Sequence, residues 1–283
     1  MRQIPANGLL FDCEEGGAGQ PVVLLHGFPE SAASWRHVTP RLHEAGYATL
    51  VPNQRGYSPG ARPEGVESYA VERLTEDVLA LAEAWGAPRF HLVGHDWGAA
   101  VAWHVAAHHP DRVATLTALS VPHLSAYARA IAEDDDQRQR SEYVNLFRTP
   151  GKAEHVLLGK TGRPHEIMYG GIKDPAMVAE HARVVTQPGA LTAALSWYRA
   201  IDFPAFVGLP AVTVPTTYLW SDQDPALGRT GAERCADYVT GDYEYVELTG
   251  ANHWLPENEP AAVADAILRR VRQVPLPALA GGE

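Results

Sequence analysis

Gly94-His95-Asp96-Trp97-Gly98 lies between the apolar run Arg89-Phe-His-Leu-Val93 and the alanine-rich run from Ala99 to Ala107. The order of these segments predicts a strand, a sharp turn and a helix. Glycines two positions on either side of Asp96 let strand and helix approach closely around a strained central residue. This is the G-x-S-x-G pattern of a nucleophile elbow, with aspartate in place of serine. An ordinary loop with an aspartate N-cap gives the same pattern, so the rest of the chain must decide between the two.

The composition is that of an ordinary globular chain. It has 283 residues, of which 46% are hydrophobic and 20% charged, enough for one large α/β domain with an insertion or for two modest domains. The net charge of -11 and the lack of a basic cluster argue against a nucleic-acid partner or an anionic membrane surface. Cys13 and Cys235 are far apart and lack metal-ligand spacing, so we expect neither a disulfide nor a metal site.

The two ends of the chain predict no targeting or anchoring segment. Met1 begins a polar stretch without the charged and then apolar pattern of a signal peptide. No apolar run reaches the ~18 residues of a membrane span. We therefore expect a soluble, cytoplasmic protein without a membrane partner. Residues 275–283 are rich in Pro, Ala and Gly, and this composition predicts a loose C-terminal tail.

Apolar strands alternate with amphipathic helices through both ends of the chain, and this alternation predicts a mostly parallel sheet with helices on both faces. The predicted strands are Leu9 to Glu15, Pro21 to Leu25, Tyr47 to Pro52, Arg89 to Val93, Val113 to Ser120, Pro215 to Trp220 and Tyr243 to Leu248. The predicted helices are one from the Ser31 to Ser34 cap to about Ala45, Ser68 to Trp85, Ala99 to about His108, Thr230 to Val239 and Pro260 to Val274.

The alternation stops between about Val121 and Leu209, where helical segments follow one another without a convincing strand. The segments are Ser125 to Gln137, Ala176 to Val185 and Leu191 to Ala200. An inserted helical cap is the simplest explanation. We therefore divide the chain into an α/β core of residues 1–120 and 210–274, a cap of residues 121–209 and the tail.

Two loops that follow late strands carry further acid and base groups. Ser221-Asp222-Gln223-Asp224-Pro225 follows one strand, and Gly250-Ala-Asn-His253-Trp254 follows the next. Loops at the carboxyl ends of parallel strands line the ligand crevice of an open sheet. Asp96, Asp224 and His253 are therefore expected to share one rim, in the chain order of nucleophile, acid and histidine. Asp222 competes with Asp224 for the position of the acid.

Four motifs together resemble those of the epoxide hydrolase and haloalkane dehalogenase branch of the α/β-hydrolase fold. They are His26-Gly27-Phe28-Pro29, Gly94-His95-Asp96-Trp97-Gly98, Asp224-Pro225 and Gly250-x-x-His253-Trp254. They match the branch in order and spacing, and the resemblance covers nearly the whole chain. It implies an α/β-hydrolase fold, a hydrolytic reaction without cofactor or metal, and a small apolar molecule as the binding partner. The oligomeric state stays open between monomer and homodimer.

The resemblance implies a catalytic role for each motif. An aspartate nucleophile forms an ester with an alkyl carbon, so the carboxylate of Asp96 is expected to attack carbon and not a carbonyl group. His253, oriented by Asp224, is expected to activate the water that hydrolyses this ester. The backbone N–H groups of Phe28 and Trp97 are the expected oxyanion donors.

The cap decides which leaving group the site accepts. Ser196-Trp197-Tyr198-Arg199 resembles a site at which epoxide hydrolases carry one of two acid tyrosines, so Tyr198 is the candidate acid. The position expected for the second tyrosine holds Leu146, which leaves Tyr143 or Tyr169 as possible second acids, or a site with a single tyrosine. His26, Pro29, Trp197 and Trp254 are expected around the substrate pocket, with His26 serving mainly to order its loop.

Epoxide hydrolysis to a vicinal diol is the function that the sequence favours. Haloalkane dehalogenation is the first alternative. Phe28 stands where one dehalogenase group places an asparagine that donates an N–H to the halide, and this missing donor counts against that chemistry. Trp197 could in principle replace it. Carboxylester hydrolysis is disfavoured by aspartate at the elbow. A ligand-binding protein of the hydrolase fold without turnover is the alternative from another class, because a fold does not prove a function.

Overall fold

The computed structural model describes residues 1–159 and 168–279. These residues form an eight-stranded sheet in the order β1-β2-β4-β3-β5-β6-β7-β8, with β1 and β2 antiparallel to their neighbours and all other pairs parallel. The strands are β1 (Arg2–Ala6), β2 (Leu9–Gly16), β3 (Gln20–Leu25), β4 (Tyr47–Pro52), β5 (Phe90–His95), β6 (Val113–Leu119), β7 (Thr216–Ser221) and β8 (Tyr243–Leu248).

Helices cover both faces of the sheet. Outside residues 121–209 the α-helices are α1 (Thr39–Glu44), α2 (Val71–Ala84), α3 (Trp97–His108), α11 (Arg229–Arg234), α12 (Leu255–Asn258) and α13 (Pro260–Val271). Residues 121–209 contain α4 (Leu124–Glu133), α5 (Asp135–Arg140), α6 (Tyr143–Phe147), α7 (Lys152–Leu158), α8 (Pro175–Val185), α9 (Ala190–Arg199) and α10 (Phe203–Val207). We call residues 121–209 the helical insertion. No helix within the described ranges is long and apolar enough to cross a membrane.

The core has two halves, one on each face of the sheet, because successive residues of a strand point to opposite faces. In β3, Val23 and Leu25 pack with α2 and α3, whereas Val22 and Leu24 pack with α1 and α13. Strands that bury both faces read as continuous apolar runs, which is why the central strands are recognisable from sequence. The parallel strands β5, β7 and β8 end at the same edge, at His95, Ser221 and Leu248. The loops that follow them are therefore neighbours.

The turn after β5 requires its glycines. Asp96 has a φ of 50°, in the left-handed region that side chains rarely adopt. A Cβ at Gly98 overlaps the Leu25 carbonyl, and a Cβ at Gly94 overlaps the Gly98 carbonyl, so α3 lies against the sheet too closely for any other residue. The strained residue at the turn is thus fixed by backbone packing on both sides.

Several element boundaries differ from the sequence predictions. The polar N-terminal stretch forms β1, which pairs with β2 across the Asn7-Gly8 turn. The helix expected to reach Ala45 is a 3₁₀ turn, Ala32–Trp35, followed by the separate helix α1. A continuous helix there needs an N–H at Pro40, which proline lacks.

Two more predicted helices are divided, and a third is shorter than expected. Asp134 has an extended backbone and accepts the Asp136 N–H at 2.9 Å, so the chain begins the new helix α5 there. The helix predicted for Thr230 to Val239 is α11 followed by the 3₁₀ turn Cys235–Tyr238. Helix α13 ends at Val271, before the predicted end at Val274.

The tail is less free than its composition suggests. The N–H of Leu276 donates to the Gln20 side-chain oxygen at 2.7 Å, and the N–H of Leu279 donates to the Gly19 carbonyl at 2.9 Å. These two bonds attach the chain to the loop before β3 as far as Leu279. The last residues of the predicted tail, 280–283, lie outside the described residues.

Candidate active site

The structure brings Asp96, Asp224 and His253 together at the sheet edge where β5, β7 and β8 end. The Asp224 carboxylate accepts a hydrogen bond from Nδ1 of His253 at 2.7 Å. Nε2 of the same imidazole lies 3.5 Å from Oδ2 of Asp96. All three residues are at least 90% buried, so water screens their charges weakly. This is the geometry of a nucleophile, a base and an orienting acid.

Asp224, and not Asp222, contacts the histidine. One carboxylate oxygen of Asp224 accepts the backbone N–H groups of Ala226 and Leu227 at 2.8 and 3.0 Å, which leaves the other oxygen directed at His253. Asp222 accepts the Gly250 N–H at 2.7 Å at the surface of the same loop. It therefore helps to shape the loop that carries the histidine without touching the imidazole.

Asp96 and His253 stabilise each other's charged forms. Burial acts to raise the pKa of Asp96, but the hydrogen bond and charge of His253 outweigh it and bring that pKa below its ordinary value. Burial likewise acts to lower the pKa of His253, but the carboxylates of Asp224 and Asp96 raise it well above its ordinary value. The resting site is therefore an anionic Asp96 beside a protonated imidazole.

One oxygen of Asp96 is already held by an oxyanion donor. Oδ1 accepts the backbone N–H of Phe28 at 2.8 Å, and the short distance depends on Gly27, where a Cβ would overlap Asp96. Trp97 is the other expected donor. Its N–H makes no hydrogen bond to Asp96 in the part of the chain that the structure describes. The bond from Phe28 leaves Oδ2 as the oxygen that faces both the cavity and the histidine.

Two tyrosines of the helical insertion face Asp96. Tyr198 on α9 and Tyr143 on α6 line the same cavity as Asp96, with their ring centroids 6.3 Å apart. Burial raises the pKa of both phenols well above the ordinary value, and the negative charge of Asp96 raises it further. Both hydroxyls are therefore protonated at neutral pH and able to donate.

The hydroxyl of Tyr169, the other candidate for the second acid, is hydrogen-bonded to the backbone. The Tyr169 hydroxyl donates to the Pro29 carbonyl at 3.2 Å, and its ring stacks on His181 at a centroid distance of 6.1 Å. Leu146 is partly buried against the core. Of the two candidate tyrosines, Tyr143 is the one that lines the cavity together with Asp96 and Tyr198.

The cavity has two lobes that meet at Asp96, Tyr143 and Tyr198. The larger lobe has a volume of about 820 Å³ and the smaller about 460 Å³, and both volumes include space that is open to solvent. The larger lobe is lined mainly by Phe28, Pro29, Phe147, Met168, His253 and Trp254. The smaller lobe is lined mainly by Leu124, Tyr127, Val144, Ile201, Phe206 and Leu227. Both walls are predominantly apolar, which suits an apolar small molecule.

Two of the four residues expected around the pocket do not line these lobes. Pro29 and Trp254 do, but His26 is fully buried, and its Nε2 accepts the Gln54 N–H at 3.2 Å. Burial lowers the pKa of His26 to about 3, so it is a neutral residue that orders the loop. The indole of Trp197 donates to the Arg55 carbonyl at 2.9 Å, and its side chain therefore joins the insertion to the core.

A buried pair behind the site was missed by the sequence analysis. Oε2 of Glu30 accepts the Gly27 N–H at 2.6 Å, while Oε1 lies 2.9 Å from Nδ1 of His95. Nε2 of His95 in turn lies 2.9 Å from the His253 carbonyl. Burial alone acts to lower the pKa of His95, but Glu30 raises it above the ordinary value. The pair therefore connects the Phe28 loop, the elbow and the histidine loop. His95 stands in the quoted Gly94 to Gly98 motif and Glu30 directly follows the His26-Gly27-Phe28-Pro29 motif, but their contact is not visible in the sequence.

Comparisons with known proteins agree with this fold and site. The family model described as alpha/beta hydrolase fold matches residues 20–260. Epoxide hydrolase A of Mycobacterium tuberculosis is 35% identical, over 94% of this chain and 95% of its own length. Epoxide hydrolase 3 of Xenopus tropicalis is 33% identical, over 86% of this chain and 68% of its own length. The crystal structure of Epoxide Hydrolase A from Mycobacterium thermoresistibile has a TM-score of 0.84 at 32% identity, over 97% of this chain and 98% of that chain.

The two mycobacterial matches cover nearly the whole length of both chains, so they concern the complete fold and not a shared fragment. The chain therefore belongs to the α/β-hydrolase fold family and, within it, to the epoxide hydrolases. The sequence-based predictions of the fold, of the family and of a hydrolase are confirmed.

Proposed function

We propose that this protein adds water to a small apolar epoxide and releases a vicinal diol, by way of an ester on Asp96. The observation that carries the proposal is the position of Asp96 opposite Tyr198 and Tyr143, where the two lobes of the cavity meet. An epoxide at this junction has a carboxylate next to its carbon and phenol donors next to its oxygen. Opening the ring needs both.

In the first step, Oδ2 of Asp96 attacks one epoxide carbon while Oδ1 stays bonded to the Phe28 N–H. The bond between this carbon and the epoxide oxygen breaks, and its electron pair goes to the oxygen. Tyr198 and Tyr143 donate hydrogen bonds to the developing alkoxide and supply the proton that makes it a hydroxyl. The product of this step is a hydroxyalkyl ester of Asp96.

The second step depends on a change in charge. Esterification makes Asp96 neutral, which removes one of the two carboxylates that raise the pKa of His253. The imidazole then releases its proton more easily, and this proton returns to the tyrosine that gave its own in the first step. His253 thereby becomes a base, still oriented by Asp224. It takes a proton from a water molecule, whose oxygen attacks the carboxyl carbon of Asp96. The Phe28 N–H stabilises the negative charge that develops on Oδ1. The bond between the carboxyl carbon and the ester oxygen, the former Oδ2, breaks. That oxygen leaves with the diol and receives the proton that remains on the oxygen added from water, so that Asp96 is again anionic beside a protonated His253.

The contacts of Trp197 favour this chemistry over the departure of a halide. A dehalogenase needs two N–H donors that point at the leaving anion, and Trp197 is the residue that could replace the missing asparagine. Its indole N–H instead donates to the Arg55 carbonyl at 2.9 Å. Aspartate at the elbow argues against carboxylester hydrolysis, and the hydrogen-bonded triad argues against a protein that only binds its ligand.

The reaction is tested with styrene oxide and 1-bromobutane, following the diol and bromide separately. We expect diol from styrene oxide, whereas bromide without diol would contradict the proposal. The ester is tested with His253→Gln, which keeps the nucleophile but lacks the base. Mass spectrometry is expected to find the mass of the substrate added to the peptide that contains Asp96. A variant that retains diol formation without this adduct would show that the covalent route is wrong.

A further inference from the structure

The smaller lobe contains a third tyrosine that the proposed reaction does not use. Tyr127 on α4 lines this lobe beside Tyr143 and Tyr198. The remaining wall is almost entirely apolar, and its main members are Ala100, Leu124, Val144, Ile201, Phe206 and Leu227. A phenol that the reaction does not use can contribute selectivity in such a lobe. A substrate hydroxyl that leaves water for apolar surroundings loses hydrogen bonds, and a phenol there can replace one of them.

A chain of hydrogen bonds connects the Gln137 side chain, through Ser141, to the hydroxyl group of Tyr127. The Gln137 side-chain oxygen accepts the Gly228 N–H at 2.7 Å, so its amide nitrogen must face the other way. That nitrogen donates to the Ala226 carbonyl at 2.8 Å and to Oγ of Ser141 at 3.0 Å. Gln137 is only 1% exposed, which holds the arrangement in place.

The Ser141 hydroxyl lies between the Gln137 amide and the Tyr127 hydroxyl. Oγ of Ser141 lies 3.0 Å from the Tyr127 hydroxyl. Either hydroxyl can be the donor in this pair; when the Ser141 hydroxyl donates, the Tyr127 oxygen accepts and the Tyr127 proton is free to point into the lobe. Burial raises the pKa of Tyr127 to about 12, so the phenol keeps this proton at neutral pH.

We propose that Tyr127 determines specificity by donating a hydrogen bond to an oxygen on the substituent that enters the smaller lobe. The inference rests on the proposed epoxide hydrolysis and names its substrate class. That class comprises epoxides with an apolar group on one carbon, which the larger lobe accepts, and an arm bearing a hydroxyl, ether or carbonyl oxygen on the other.

Matched substrate pairs test this directly. One pair is 4,5-epoxy-5-phenylpentan-1-ol and 1-phenyl-1,2-epoxyhexane, and a shorter pair is 2,3-epoxy-3-phenylpropan-1-ol and 1-phenyl-1,2-epoxybutane. In each pair a hydroxyl replaces a methyl group, while the phenyl group is best accommodated in the larger lobe. The natural enzyme is expected to prefer the hydroxylated member of at least one pair by about tenfold in kcat/KM.

Tyr127→Phe removes the phenol oxygen and keeps the ring. We expect it to abolish that preference, because kcat/KM for the hydroxylated member falls about tenfold relative to its partner. Tyr69→Phe is the matched control. It removes a hydroxyl that donates to the Pro63 carbonyl at 2.8 Å outside both lobes, and it should keep the preference of the natural enzyme.

The outcomes separate this inference from the proposed function. Diol formation with no preference in the natural enzyme, or a preference that survives Tyr127→Phe, overturns the role of Tyr127 and leaves epoxide hydrolysis standing. An absence of diol from all four substrates and from styrene oxide overturns the proposed function itself. The preference of the natural enzyme is measured without any variant, so the inference is testable even if Tyr127→Phe folds poorly.

Discussion

The two sides of the cavity hold their functional groups by different means. On the sheet side, backbone groups fix the polar atoms: the Phe28 N–H holds Asp96, and the Ala226 and Leu227 N–H groups hold Asp224. On the side of the helical insertion, the Tyr198 ring lies edge-on against the rings of Phe28, Trp97 and Phe147. The corresponding centroid distances are 5.2, 5.1 and 5.0 Å.

This difference explains how much the sequence positions of the functional residues can vary on each side of the cavity. A backbone N–H reaches a carboxylate oxygen only from one turn geometry, so the sheet side needs particular residues at fixed spacing. Edge-on aromatic contacts extend over centroid distances of about 4.5 to 7 Å and accept several arrangements. A phenol can therefore enter the cavity from a position one helical turn away. Tyr143 lines the cavity in this way, one helical turn before Leu146, the position at which the sequence predicts the second tyrosine.

The largest expected effect is that of a substitution on the sheet side of the cavity. Asp224→Asn should lower turnover about 10⁴-fold, because a neutral amide neither selects the reactive tautomer of His253 nor stabilises its cation. The measurement is steady-state diol formation. Asp222→Asn is the matched control in the same loop and should stay within about twofold of the natural enzyme, as surface substitutions usually do. Similar losses in both variants would refute the assignment of the acid to Asp224.

Substitutions on the insertion side are expected to reduce activity less than Asp224→Asn does. Tyr198→Phe and Tyr143→Phe should each slow formation of the Asp96 ester at least about tenfold, or 1.4 kcal/mol, because each leaves one phenol to stabilise the alkoxide. Single-turnover quenched flow measures this step. Hydrolysis of the ester, once formed, should be much less affected because the phenols act on the other oxygen.

Tyr169→Phe provides the control for the insertion side. Its hydroxyl donates to the Pro29 carbonyl and does not face Asp96, so ester formation should be closer to that of the natural enzyme than in either other variant. If Tyr169→Phe is slowed as much as Tyr143→Phe, the second acid has been assigned to the wrong tyrosine.

The same contrast between the two sides determines which features of the fold and the site can be predicted from the sequence. The loops with Asp96 and Asp224 follow strands that are buried on both faces, and the loop with His253 follows the partly buried edge strand β8. Their common edge follows from the α/β alternation. The strand β1 was missed because its exposed, polar face lacks such a run, although the Asn7-Gly8 turn was a usable signal. The contacts of Trp197, and of His95 with the His253 carbonyl, join residues 142 and 158 positions apart. No local pattern contains them.

The smallest expected effect concerns alkaline pH. Burial and the nearby Asp96 carboxylate raise the pKa of Tyr198 and Tyr143 well above the ordinary value of 10.0. Raising the pH from 8 to 10 therefore leaves both phenols protonated and able to donate. The nucleophile does not change either, because Asp96, whose pKa lies below its ordinary value, stays anionic throughout. The single-turnover rate of ester formation should consequently show no alkaline decline. A decline with a midpoint below 10, abolished in Tyr143→Phe, would mean that solvent reaches the phenols and that aromatic packing shields the insertion side less than we infer.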